Sequence, residues 1–244
     1  MRMRHNASSA DASNLIYWAV AQSGGWSDAA DWTTHTVPGA GTTAVISARS
    51  RTGYTVSLGK PEAAAVLRIN AAAATVDDSS TLTIGHLLKL DAGEFILDAG
   101  GVLTGGQIQV ANGATFQAYG GTLTDVRFEG TLNAASLTIG ADTKFAGVGN
   151  QGSALIVDEF APPIVVLGQN QLDNVNISLA GTIISEASGD QAGELLIGGD
   201  VTITQISGAS PLPQAILAGA GAALPTTAPS MPVSQEACCN LMPT

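Results

Sequence analysis

Asp125, Arg127 and Glu129 alternate with the apolar Val126 and Phe128. An extended backbone therefore throws two carboxylates and a guanidinium onto one side of a strand. Carboxylates beside an arginine can bind a uronate or a divalent cation and move protons, as polysaccharide-cutting chemistry on a flat sheet requires. The same three charges can also neutralise one another as a solvated, self-paired strand. Catalysis would need carboxylates converging from a second strand, and the flanking positions Gln107 and Gln109 are neutral amides. The self-paired reading is the better one.

Other candidates are weaker. His5, His35 and His86 stand far apart with no cysteine beside them, and a zinc site needs three or four convergent ligands. No Gly-x-Ser-x-Gly elbow supports nucleophilic catalysis, and no Gly-rich loop ends in Lys-Ser or Lys-Thr. Asp77 and Asp78 precede Ser79 and Ser80 and read as a bland acidic turn. Trp18, Trp26 and Trp32, all the tryptophans of the chain, lie with Tyr17 in one N-terminal stretch. They offer either a stacking platform for sugar rings or a lid over an exposed core end, and the lid is favoured. No metal and no cofactor is implied.

Composition narrows the function classes. The 244 residues carry 9 Lys+Arg against 20 Asp+Glu, a formal charge of −11. Nucleic acid, whose phosphates need a basic footprint, is excluded as a partner, and an anionic membrane surface is disfavoured for the same reason. An apolar content of 45% excludes wholesale disorder. The cysteines, Cys238 and Cys239, are adjacent and cannot cross-link the body. No apolar run of signal-peptide length follows the basic N-terminus, and the Gly-broken stretch Ala215–Leu224 is too short to cross a bilayer.

The elements that position these residues emerge from a repeat. Phe95, Phe116, Leu137, Val157, Ile177 and Ile197 recur at intervals of 20 or 21, and Val56 and Val76 extend the column upstream. Four residues before each member from Phe95 onward stand Asp91, Asn112, Asn133, Ser153, Asp173 and Gly193, all turn formers. Leu82, Leu103 and Leu123 keep the same step, as do Leu88, Ile108 and Phe128. Residues between alternate apolar and polar, the period of half-buried strands. A coil of about 20 residues cannot bury its own apolar face, so coils must stack, like on like. The expected fold is all-β: a single-stranded right-handed parallel β-helix, or β-solenoid, of about 20 residues per rung and about eight coils. Phe95 should lie over Phe116, Phe116 over Leu137, and the turn formers should make a ladder at one corner. Boundaries follow composition: a lead-in over 1–14, a Trp-rich cap over 15–44, the solenoid over 45–207 and a disordered Pro/Ala-rich tail over 208–244.

Two passages carry a resemblance. One is Trp26-Ser-Asp-Ala-Ala-Asp31-Trp32 followed by Val37-Pro38-Gly39-Ala-Gly41 and Val45-Ile46. The other is Gly120-Gly121-Thr122-Leu123-Thr-Asp125-Val126-Arg-Phe128-Glu-Gly130-Thr131-Leu132, echoed over Leu172–Ile183. Both resemble modules of large bacterial surface and secreted β-strand-repeat proteins, grouped with autotransporter passengers, haemagglutinin-like adhesins and RTX-type exoproteins. Such caps usually have Gly where His35 stands and Asp where Thr43 stands. The calcium nonapeptide of RTX repeats is absent, since Gly198-Gly199-Asp200 lacks its third glycine.

The resemblance implies a non-enzymatic structural or adhesive module, extracellular or on a bacterial cell surface and part of a longer repeat protein. Its partners would be glycans or a host-cell or biofilm surface. The alternative is a polysaccharide lyase or hydrolase of the β-helix type, with Asp125, Arg127 and Glu129 as its site.

Overall fold

A computed structural model describes residues 14–146 and, beyond them, 153–157, 164–173, 175–179, 183–186, 194–197, 202–205 and 216–218. Residues 1–13 of the lead-in, Cys238 and Cys239 lie outside the described residues. What is described is a parallel β-solenoid, wound as a three-sided prism whose faces repeat in chain order.

On the first face, Leu15–Tyr17 pairs with Thr43–Ile46, which pairs with 66–69 of the long strand Glu62–Asp78. The ladder continues through 87–90 of Thr81–Leu97, then Gln107–Val110, Arg127–Glu129, Lys144–Ala146, Gln169–Asp173 and Glu194–Ile197. The second face starts at Gly24–Gly25 and Tyr54–Leu58 and runs through 74–78, 94–97, 115–118 and 131–134 to Ser153–Val157, Val175–Leu179 and Thr202–Gln205. The third runs from 62–64 through 81–83, Val102–Thr104, 122–124, 138–139, Ile164–Leu167 and Ile183–Glu186 to Ile216–Ala218. That last strand lies inside the stretch expected to be a disordered tail. Its apolar Ile-Leu-Ala pairs with Ile183–Ser185 despite the prolines around it.

Every ladder is parallel, so each backbone group bonds a coil about 4.8 Å above or below and side chains repeat in files. Ile16, Ala44, Leu67, Leu88, Ile108, Phe128, Phe145 and Leu172 form the inward file of the first face, all buried. Leu82, Leu103 and Leu123 stack as expected on the third. On the second, Val56, Val76, Phe95 and Phe116 follow one another in register. The Phe95 and Phe116 rings stack at 5.0 Å and 19°.

The expected pairing of Phe116 with Leu137 does not occur. Phe116 lies in register with Leu132, and Leu137 with Gly121. The cause is the corner between the first and second faces. In one coil, Ala111–Ala114 bridge Val110 to Thr115 through a turn closed by Ala114 N–H donating to Ala111 O. In the next coil Gly130 alone links Glu129 to Thr131. Gly130 takes φ +110°, and a Cβ there would sit 2.5 Å from Val110 O. The tightened corner pulls the chain forward, and the file continues as Leu132, Leu155, Ile177 and Ile203 rather than through Leu137, Val157 and Ile197. Unequal corners also abolish the expected ladder of turn formers. Asn112 does sit in a turn, but Asp91, Asn133 and Asp173 lie within strands. Ser153 is buried at a strand start, its hydroxyl set against the carbonyls of Phe128 and Ala146.

The core volume survives the slip because its aromatic group changes face. Phe95 and Phe116 fill two coils from the second face, and Phe128 and Phe145 fill the next two from the first. The Phe116–Phe128 centroids are 5.2 Å apart at 89°, and Phe128–Phe145 are 5.6 Å apart. One large ring in each of these four coils keeps this part of the prism filled.

The Trp-rich stretch is a partial first coil. Leu15–Tyr17 and Gly24–Gly25 supply two faces, and a single 3-10 turn, Ala29–Asp31, follows them. His35 adopts φ +51°, a backbone that glycine adopts without strain.

Phe116→Ala should cost about 3–5 kcal/mol in denaturant unfolding, since both neighbouring rings lose contact. Gly130→Ala should also destabilise, because its Cβ meets rigid backbone; an unchanged midpoint would show that the corner is not forced.

Candidate functional site

The sequence candidates fall at the third-to-first-face corner and on the first face. Asp125 is not on the strand with Arg127 and Glu129. It forms the corner before it, with φ +54° and its N–H donating to Ala141 O at 3.0 Å. Left-handed backbone is costly for most residues and tolerated by Asp, whose short side chain fits such turns. Asp125 is exposed, and Val126 beside it is buried.

Arg127 and Glu129 lie two apart on the strand and meet. Arg127 Nε donates to Glu129 Oε1 at 2.8 Å, and Gln109 Nε2, from the preceding coil, donates to Glu129 Oε2 at 3.2 Å. The Glu129 side chain is 8% exposed and that of Arg127 46%. Both oxygens of the inner carboxylate are therefore engaged. The residues in register above and below are Gln107, Gln109 and Lys144. In register on the adjacent coils stand two amides and a lysine, and no second carboxylate among the described residues is in register with Arg127 or Glu129. Among the described residues no group of three or more His, Cys, Asp or Glu could hold a metal.

Side chains turned outward on this face carry four of the nine cations of the chain: Arg68 and Lys89 in one file, Arg127 and Lys144 in the other. Lys89 pairs with Asp91 at 3.0 Å. The third face instead presents threonines, with Thr83, Thr104 and Thr124 in one outward file. These ladders place hydroxyls, amides and charges at the coil-to-coil step along the prism.

The three indoles present no free stacking face. Trp26 and Trp32 are 0% exposed and Trp18 3%. Trp32 packs edge-on against Trp18 at 5.0 Å and against Trp26 at 4.9 Å. Trp32 Nε1 donates to Trp26 O and Trp18 Nε1 to Gln22 O, while Trp26 Nε1 is buried without a partner. Gly24 makes room for the cluster, since a Cβ there would lie 3.2 Å from the Trp18 ring and collide with Asp31. The rings cover the end of the core. Tyr17, 41% exposed, is the aromatic of this stretch that faces solvent.

A third acid is also placed differently from its reading. Asp78, expected at a turn, is 0% exposed at the end of the strand Glu62–Asp78. Burial pushes its carboxyl from the ordinary 3.8 up to about 7, Asp77 pushes in the same direction, and a hydrogen bond from Ser80 N–H opposes both. Burial also raises Glu62, with Lys60 pulling it back, and raises Asp77, with Asp98 adding to it. Strand parity carried the missed signal: Ala74, Val76 and Asp78 share the buried side.

No known family, curated protein or solved structure matches the chain. No helix among the described residues is long and apolar enough to cross a membrane.

Tryptophan emission should be blue-shifted and resist acrylamide quenching until the solenoid unfolds, and saturating glycans should leave it unchanged. Quenching in the folded state, or a glycan-induced shift, would place an indole at a binding surface.

Proposed function

We propose that this chain is a non-enzymatic structural or adhesive β-solenoid module, a stiff spacer presented outside the cell or on a bacterial surface. In this proposal it belongs with the β-strand-repeat surface proteins its cap and repeat resemble, as one segment of a longer repeat protein. The observation that carries the reading is the state of Glu129. Both its oxygens are bound within the protein, to Arg127 and Gln109, and the next coil adds Lys144 in register with Arg127. General acid–base cleavage of a glycan needs two groups free to exchange protons with the substrate, and this face offers a neutralised pair instead. Parallel ladders on three sides supply the stiffness. The outward Thr83, Thr104 and Thr124 file supplies a repeating hydrogen-bonding surface suited to glycans, which are themselves periodic.

The test is a panel of neutral and uronate polysaccharides offered to the full chain, scored for binding and for new chain ends. Binding without cleavage, unaltered by Asp125→Asn, is the expected result. Reproducible cleavage that Asp125→Asn abolishes would establish a β-helix polysaccharide lyase or hydrolase in its place. Absence of both binding and cleavage would remove the adhesive half of the proposal.

A further inference from the structure

Asp78 occupies a position in the core that its neighbours fill with hydrocarbon. On the second face it lies in register with Leu58 in the coil before and Leu97 in the coil after, and Leu97 is followed by Ala118. Leu58 is 1% exposed, and Leu97 and Ala118 are 0% exposed. One Asp78 oxygen, Oδ1, accepts from Ser80 N–H at 3.1 Å, while Oδ2 is buried without a partner. The hydroxyl of Ser79 is already set against Leu58 O. Room for rearrangement is small, because Gly101 packs on this corner so closely that a Cβ would lie 2.3 Å from Asp78 O.

The charges around the corner offer no relief to an anion. Asp77 precedes it on the same strand, with its own Oδ1 buried and unpartnered. Asp98, in the turn of the next coil, donates its N–H to Asp78 O and raises Asp77. On the coil before, Lys60 acts on Glu62. Tyr54 and Glu94, on the flanking strands, lie in register with Ala74 and Thr75 at the far end of this stretch. Asp77 and Asp78 are consecutive in a strand and point to opposite sides of the sheet, so they do not form a clamp for a shared cation.

A carboxylic acid in such a place can donate from Oδ2 or lie neutral among leucines, whereas a carboxylate there would be buried, half-bonded and flanked by other acids. We propose that the corner at Asp78 is a pH-sensitive latch, closed while the carboxyl keeps its proton and loosened when the proton is lost. The sign follows from linkage. A group that holds its proton more tightly folded than unfolded stabilises the fold fully below its unfolded value, here 3.8. That contribution declines as pH rises and is spent once pH passes the folded value of about 7. The module is thus tightened by acid at this corner, opposite to the behaviour of carboxylates held in ion pairs.

The experiment compares denaturant unfolding of the full wild-type chain and of Asp78→Asn between pH 4 and 9, followed by circular dichroism. The variant-to-wild-type ratio of folding constants should rise on the order of a thousandfold from pH 4 to 7, about tenfold per pH unit, and level off above. Asp98→Asn, altering the outer turn alone, should keep the wild-type fall. A ratio independent of pH overturns the latch. Should Asp78→Asn not fold, carbon-detected titration of the Asp78 carboxyl in wild type decides: an inflection near neutrality supports the proposal, and one near 4 overturns it.

Discussion

Parallel hydrogen bonding from coil to coil is the constraint on which everything else in this molecule depends. Each coil satisfies its backbone only through the coils on either side, so the strands on all three faces must keep register together. Inward side chains are then forced into files, and a residue's surroundings are set by the residues one coil away more than by its neighbours in sequence. Phe128 has Ile108 below and Phe145 above for this reason, and so does Asp78, caught between two leucines.

The corners absorb what the ladders cannot. Corner length between the first and second faces varies from one residue at Gly130, through four at Ala111–Ala114, to seven between Ile46 and Tyr54. In the coil with the one-residue corner the aromatic ring moves from the second face to the first, so that the cross-section stays filled. Where corners lengthen, buried polar side chains complete the backbone. Asn170 accepts from Thr143 N–H and donates to Leu167 O, and the Ser153 hydroxyl is set against two carbonyls. Such satisfied polar groups fix register in a stack that hydrophobic contact alone would let slide.

The outer surface follows the same geometry with the opposite chemistry. Alternation sends every second residue outward, and coil spacing aligns those residues into rows, of threonine on the third face and of cations and amides on the first. Rows of this kind favour pairing within the protein: Arg127 with Glu129, Gln109 with Glu129, Lys89 with Asp91. The first face, where Arg127 and Gln109 occupy both oxygens of Glu129, is poorly suited to proton transfer. This is the physical ground for the proposed spacer or adhesive role.

The amino-acid order by itself determined the class of fold, the three-strand coil of about 20 residues and the upper part of the core. Alternation and the regular step from Val56 through Phe116 are properties of local sequence, and they persist as long as the corners keep one length. It also determined that the tryptophans belong together at one end, since an open core end requires large apolar cover. Tertiary structure alone decided the register beyond Phe116, because a glycine at one corner changes the coil length without disturbing the alternation on either side. It likewise separated Asp125 from Arg127 and Glu129, and brought Asp78 from an expected turn into the core. A carboxylate looks the same in a string of residues whether water or leucine lies beside it; only the stacked coil determines which.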